Sequence, residues 1–290
     1  MKSIHYYDHF KFLWFFGIVI ILFIAGGPVL HNLSPNSNKD NKLKYPWHNN
    51  IVATTFWIGE IFDENLADGS QVCSAYDSSW AYHYSGLNIG KVSENSSGCS
   101  GSIVGGCDGV IENKNGNQTC QTESRAKSNG YFPTQFVPKE NPFYLDLPYD
   151  DLNDAVAFSN RCQDIPWANE KSYVGHCTDK NFSYMKNRWV KMIGPNGNTC
   201  YGQIEDAGPS HDGLYHDTKY VFGIGDTRPL QKEFNNAGLD VSPALNGCLG
   251  FSELDGQDDK VSWQFINDTS VPDGPWKRVI TNSQVILKSQ

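Results

Sequence analysis

The sequence predicts a mainly β domain that is stapled by disulfide bonds and preceded by one hydrophobic N-terminal segment. The composition combines many turn formers, including 27 Gly, with 13% aromatic residues, which favours short strands and loops over long helices. All eight cysteines follow the hydrophobic segment. This distribution is typical of a chain whose globular part folds in an oxidising compartment.

The cysteines are the clearest structural signal in the globular part. An even number in an exported chain indicates disulfide bonds, although the pairing stays open from sequence alone. Cys162 and Cys177 are plausible as a local pair. A zinc site is not indicated, because no two cysteines have the Cys-x-x-Cys spacing, and neither a metal nor a cofactor is expected. The disulfide candidates are Cys73, Cys99, Cys107, Cys120, Cys162, Cys177, Cys200 and Cys248.

Residues 12–30 form an uncharged apolar run that follows Lys2 and Lys11. A membrane-spanning helix needs about 20 apolar residues, whereas a cleaved signal peptide usually has a shorter core. We therefore expect a transmembrane anchor over residues 12–30 with residues 1–11 in the cytoplasm, and a cleaved signal segment is the alternative. The rest of the chain is then either membrane-anchored with an extracytoplasmic domain or secreted.

The remainder divides into a polar linker over residues 31–50 and one domain over residues 51–290. Within the domain, residues 77–129 are dominated by Ser, Gly and Asn and are expected to form an insertion that disulfides staple to the surface. Alternation, β-branched residues and an Asn-Gly turn predict the strands. The predicted strands are residues 51–58, 188–193, 199–204 and 261–266.

One short helix is predicted near the end of the domain. Ser242 is a suitable N-cap, and Pro243 suits the first helical position. Gly250 is a natural end for the helix.

The net charge of −9 argues against nucleic acid as a partner. An acidic domain does not attract phosphates, and the sequence has no basic stripe with interleaved aromatic residues. The charge is compatible with an uncharged carbohydrate ligand but does not select one.

The order of several short motifs resembles a known barrel family. The predicted hairpin is followed by Glu-Asp-Ala-Gly-Pro at residues 205–209, then by Gly-Leu-Asp-Val-Ser-Pro-Ala-Leu at residues 238–245 and the strand at residues 261–266. This order resembles the double-psi β-barrel of rare-lipoprotein-A-like proteins, expansins and family 45 endoglucanases. Ala-Thr-Thr-Phe-Trp at residues 53–57 is also similar to the start of the endoglucanases. The resemblance implies a six-stranded double-psi β-barrel.

The resemblance also implies candidate catalytic residues. Asp240 matches the acid that protonates the leaving oxygen in the glycan-cleaving members, and Asp206 matches the Asp that flanks the same groove. Glu60 is the carboxylate nearest to the endoglucanase base position, which Ile58 occupies here. The His that rare-lipoprotein-A-like transglycosylases use is also absent. The alternative for Asp240 is that it only assists the start of the predicted helix.

We expect an extracytoplasmic protein that binds a polysaccharide, either peptidoglycan or a cellulose-like glycan. Whether it also cleaves that glycan, as a glycoside hydrolase or lytic transglycosylase would, or only loosens a wall, stays open. Trp57 and Tyr144 are candidates for stacking on sugar rings, although such residues more often fill a core. The rival hypothesis is a non-catalytic envelope or adhesion module that uses the barrel as a scaffold.

Overall fold

The computed structural model describes residues 45–60, 71–87, 95–96, 99–100, 106–114 and 117–287. The anchor predicted at residues 12–30 and most of the predicted linker lie outside these residues. Within the described part of the chain, no helix is both long enough and apolar enough to cross a membrane.

The described residues form ten strands and four short α-helices. The strands are β1 His48–Thr55, β2 Asn95–Ser96, β3 Cys99–Ser100, β4 Val110–Lys114, β5 Asn117–Gln121, β6 Tyr144–Leu147, β7 Trp189–Ile193, β8 Thr199–Ala207, β9 Leu239–Val241 and β10 Lys260–Ile266. The helices are α1 Trp80–Ser85, α2 Ala155–Asp164, α3 Thr218–Phe222 and α4 Pro243–Leu249.

Six strands close into one barrel in the order β1-β10-β7-β8-β6-β9, with β9 returning to β1. The sheet is mixed. Strands β1/β9 and β6/β8 pair in parallel, and the other four pairs are antiparallel. The prediction of a mainly β fold with a closed six-stranded barrel is therefore confirmed.

The elements that neighbouring residues encode agree with those predicted from the sequence. Strands β7 and β8 form the predicted hairpin, and β1 and β10 overlap the predicted first and last strands. Helix α4 begins after Ser242, whose side chain accepts a hydrogen bond from Leu245 N at 3.2 Å, and it ends at Gly250 in the left-handed conformation. Strands β6 and β9 and helix α2 were not predicted.

Two apolar clusters stabilise the fold. The larger fills the barrel and includes Trp263, which is fully buried as the alternation in β10 predicts. In the smaller cluster, Trp80 and Tyr84 of α1 pack with Tyr144 of β6. The beginning of the predicted insertion is thus packed into a core, contrary to the expectation that disulfides alone would hold it.

Three disulfides join described residues, and none of the described cysteines is free. Cys162–Cys177 is the predicted local pair, Cys107–Cys120 closes the β4–β5 hairpin, and Cys200–Cys248 joins β8 to α4. Cys73 is disulfide-bonded as well. The prediction that the cysteines form disulfides is confirmed for these residues.

Candidate functional site

Three aspartates and one threonine form a row across four neighbouring strands of the barrel. Asp206 of β8 pairs with Asp146 of β6, Asp146 pairs with Asp240 of β9, and Asp240 pairs with Thr54 of β1. Directly paired residues have Cβ atoms about 4.5–5.5 Å apart on one face of a sheet. The barrel therefore brings together residues that lie far apart along the chain. We call Asp206, Asp146, Asp240 and Thr54 the acid row.

An irregularity in β8 determines which acid joins this row. The β6/β8 register changes between Leu145 and Asp146, so that Ile204 and then Asp206 are the partners on β8. The skipped residue, Glu205, is buried and accepts a 2.7 Å hydrogen bond from Lys186 Nζ. Bulges commonly re-aim side chains beside functional sites. Glu205 is therefore held in an ion pair, whereas Asp206 belongs to the acid row.

Asp240 is held at one end of the row by its neighbours on both sides. The Thr54 hydroxyl donates a hydrogen bond to Asp240 Oδ1, and the Asp240 backbone N–H donates to Asp146 Oδ1 at 2.9 Å. Burial raises the pKa of Asp240 to about 6, although the hydrogen bond from Thr54 opposes that shift. Asp240 can therefore hold or release a proton close to neutral pH.

Asp146 occupies the centre of the row, and the residue is only 4% exposed. Burial is the largest cause that raises its pKa well above the usual range, and the flanking carboxyl groups of Asp240 and Asp206 add to it. Two carboxylates so close cannot both stay ionised at low cost. Asp146 is therefore the member of the row most strongly driven to its neutral form.

Asp206 anchors the loop that covers one side of the site. Its Oδ1 accepts hydrogen bonds from the backbone N–H groups of Ala75 and Ala207, each at 2.8 Å, and its Oδ2 accepts one from Gln71 Nε2 at 2.7 Å. Burial raises the pKa of Asp206 to about 7 despite these donors. The carboxyl group is thus fixed in position and titrates near neutrality.

The three aspartates line a cleft of about 750 Å³. Its walls come from the loop at residues 71–78, from the segment after β8 that contains Gly208 and Pro209, and from residues 231–234 before β9. A volume of this size accommodates a small ligand or a segment of a polymer. The acid row thus borders a space that a substrate can enter.

Glu60 and Trp57 lie outside this cleft. Glu60 Oε2 accepts a 3.2 Å hydrogen bond from the Trp57 backbone N–H. Burial raises the pKa of Glu60 to about 8, and the charge of Asp240 contributes to the shift. Trp57 is half-buried, and its ring Nε1 has no hydrogen-bond partner among the described residues. Neither side chain belongs to the cleft lining.

Tyr144 lies in the smaller apolar cluster. Its ring is fully buried and makes edge contacts with Phe56, Trp80 and Tyr84. Its hydroxyl donates to Asp108 Oδ2 at 2.8 Å. No face of the ring is open to a sugar, so the structure places Tyr144 in the core and not beside the acid row.

The structure does not place Asp240 at the start of α4. The helix is capped by Ser242, and no acidic residue lies in its first turn. Asp240 belongs instead to β9 and contacts β1 and β6 through hydrogen bonds. Its surroundings are those of the acid row and not of a helix terminus.

Sequence analysis missed Asp146 and Thr54. Asp146 follows Leu145 in a short run of mixed apolar and acidic residues, and nothing in that run distinguishes it from Asp150 and Asp151. The positions of Asp146 and Thr54 in the acid row become visible only through the pairing of the strands. Within the described residues, no three His, Cys, Asp or Glu side chains are grouped as ligands for a metal ion.

The fold and the cleft define a class of protein: a closed, mixed, six-stranded β-barrel with a row of buried carboxyl groups at one cleft. The chain matches no protein-family model and no curated protein sequence.

Proposed function

We propose that the cleft binds a polysaccharide and that Asp240 donates the proton when a glycosidic bond is cleaved. The observation that carries this proposal is the acid row, in which Asp206, Asp146 and Asp240 are register-paired on adjacent strands and line one cleft. The topology is compatible with a double-psi β-barrel, and we propose a relationship to rare-lipoprotein-A-like proteins, expansins and family 45 endoglucanases.

The chemistry requires an acid at the leaving oxygen. A glycosidic oxygen leaves poorly unless it is protonated as the C–O bond breaks. Asp240 Oδ1 accepts the bond from Thr54, so Oδ2 is the oxygen that would deliver the proton. The bonding pair then goes to the leaving oxygen, and the Asp240 carboxylate that remains accepts a proton from the attacking hydroxyl or water. In this proposal the second carboxyl group, that of Asp206, assists as the positive charge develops on the sugar.

The cellular setting is part of the same proposal. The disulfides are stable in an oxidising, extracytoplasmic compartment. We propose that the apolar residues 12–30 deliver the domain there, as an anchor or as a cleaved signal. The polysaccharide would then be a component of a cell wall or of the surroundings of the cell.

The test is the Asp240→Asn variant. Asn is nearly isosteric and can still accept the hydrogen bond from Thr54, so the melting temperature should stay close to that of the wild type. Loss of general-acid assistance typically lowers a rate by about 10²–10⁴-fold. Product release from peptidoglycan, cellulose, chitin, chitosan and xylan measures the effect, with Asp255→Asn as the control because Asp255 is exposed and does not line the cleft.

The outcomes separate the candidate activities. A folded Asp240→Asn variant with full activity would remove Asp240 from the site and with it the proposed mechanism. One observation favours non-hydrolytic wall loosening as a second candidate: Ile58 occupies the position of the endoglucanase base, and Glu60 does not line the cleft. In that case neither the wild type nor the Asp240→Asn variant releases soluble sugar, but the substitution abolishes wall extension.

A further inference from the structure

The charges around the cleft have one sign. Six acidic residues belong to its lining, and none of the described lining residues is Lys, Arg or His. A polyanionic glycan such as a uronan would meet only like charges there. The acidic residues are Asp146, Asp150, Asp206, Asp212, Glu233 and Asp240.

The central carboxyl group of the acid row has one oxygen that is available to a ligand. Asp146 is 4% exposed, and its Oδ1 accepts the hydrogen bond from the Asp240 backbone N–H. Its Oδ2 accepts no hydrogen bond from any residue in the described part of the chain. Asp146 lines the cleft, so a donor on a bound molecule can reach this oxygen.

An aromatic side chain is held at the same cleft by an unusual backbone. Phe234 is 49% exposed and belongs to the lining. It has a φ of 46°, and Asn235 and Asn236 follow at 56° and 60°. A bulky residue rarely adopts this left-handed region, and such strain is concentrated at ligand-binding segments.

The segment that carries Phe234 is also anchored. The Asn235 side-chain amide donates to Gln257 O and to Asp258 Oδ1, each at 3.1 Å. The ring is therefore held at the cleft instead of packing into the core. Its apolar face suits stacking on a sugar ring, and an aromatic face also attracts a nearby cation.

We propose that the substrate is a glycan with free amino groups, built from 2-amino-2-deoxyhexose units. This inference rests on the proposed glycan-binding function and specifies its substrate class. A sugar ammonium group supplies three N–H donors and a positive charge. Its charge favours the ionised form of Asp146, whose Oδ2 can then accept a hydrogen bond from the ammonium group. Phe234 stacks on the apolar face of the same or a neighbouring sugar.

The electrostatics of the row favour such a ligand. The carboxyl group of Asp146 faces Asp206 on β8 and Asp240 on β9, and Asp150 and Tyr215 lie nearby. The mutual repulsion of these groups penalises their ionised forms. A cation among them converts part of that repulsion into attraction, whereas an N-acetylated sugar does not.

The test compares two probes that differ only in acetylation, a glucosamine hexamer and its fully N-acetylated counterpart. Binding to the full domain is measured by titration calorimetry at pH 6 in 150 mM salt with EDTA, which removes metal bridging. We expect the glucosamine hexamer to bind at least tenfold more tightly. Asp146→Asn should reduce this preference at least tenfold, and Phe234→Ala should weaken both probes while Phe234→Tyr restores them.

Controls separate the site from general polycation binding, because the whole protein is acidic. Asp255→Asn removes the same charge at an exposed position outside the cleft lining and should leave the preference unchanged. If Asp146→Asn does not fold, Asp212→Asn and Glu233→Gln carry the test, since both residues are exposed and line the cleft.

The outcomes distinguish failure of the amino-sugar inference from failure of the proposed glycan function. Equal or tighter binding of the N-acetylated hexamer overturns the amino-sugar class and leaves the glycan function standing. A loss of preference in Asp255→Asn as large as that in the cleft variants shows unspecific charge binding and also overturns it. If no glycan in either this assay or the product-release screen interacts with the protein, the inference and the proposed function both fail.

Discussion

Gly208 shows how a residue without a side chain shapes the acid row. A Cβ atom at this position would lie 2.6 Å from Asp146 Oδ2, which is closer than non-bonded atoms approach. The Gly-Pro pair after β8 therefore leaves the space that the central carboxyl group occupies. The glycine is required here by a close approach and not by a positive φ.

Gly208→Ala should consequently disturb the site without altering any acid. The added methyl group must displace the Asp146 carboxyl group, which also holds the backbone N–H of Asp240. We expect glycan cleavage or binding to fall by about tenfold or more, since small misplacements of reacting groups carry large costs. Gly256→Ala is the control, because the atoms nearest to its added Cβ would belong to the side chains of Glu253 and Asp259, which lie outside the cleft lining. Wild-type activity in a folded Gly208→Ala variant would contradict the close approach.

At the scale of elements, the Cys200–Cys248 bridge connects the acid-row strand β8 to helix α4. The two cysteines are separated by 48 residues, and that intervening chain includes α3 and β9. A cross-link over such a loop restricts the unfolded chain strongly, by about 4 kcal/mol in the chain-entropy description. The bridge therefore stabilises the arrangement of β8, α4 and the segment that leads into Asp240.

Replacing both cysteines by alanine should lower the free energy of unfolding by about 4 kcal/mol. The comparison is the Cys162→Ala/Cys177→Ala protein, in which a loop of 15 residues is released and the expected loss is about 3 kcal/mol. Urea denaturation of both proteins measures the difference. A smaller loss for the longer loop would show that native-state contacts, and not loop length, determine the contribution.

The elements that could be predicted are those encoded by neighbouring residues. The β7–β8 hairpin carries its own turn, and α4 carries both of its end signals. Strand β6 has four buried residues with no alternation, and β9 has only three residues. A strand buried on both faces has no period of two to recognise. Because strand β6 could not be predicted, the position of Asp146 at the centre of the acid row could not be predicted either. Asp206 and Asp240 were identified through the family resemblance.

At the scale of the whole molecule, the buried carboxyl groups couple folding to pH. The pKa values of Asp206 and Asp240 are raised to about 7 and about 6, from an ordinary value of 3.8. The folded protein therefore binds more protons than the unfolded chain between pH 4 and pH 7. Because a raised carboxyl pKa contributes stability only while the group is protonated, this contribution is lost as pH rises through that window.

We therefore expect the free energy of unfolding to decline from pH 5 to pH 8. Asp146→Asn keeps the acceptor for Asp240 N–H and removes one of the mutually repelling charges. The free energy of unfolding of this variant should decline less over the same pH range, and the variant should be more stable than the wild type at pH 8. Chemical denaturation across the pH series provides the measurement, and a wild-type stability that rises steadily over this range would rule out neutral carboxyl groups in the row.

The acid row has a consequence for recognising relatives of this protein. Its members lie at positions 54, 146, 206 and 240, and hydrogen-bonded pairing alone makes them neighbours. The connecting segments can lengthen or shorten without moving the row, because loop length has only a weak influence on the closed arrangement. Spacing along the chain therefore carries almost no information about the site. Relatives should share short sequence motifs in a fixed order, with connecting segments of variable length between them. A search that fixes the order of the motifs and ignores the lengths of the connecting segments is suited to find such relatives.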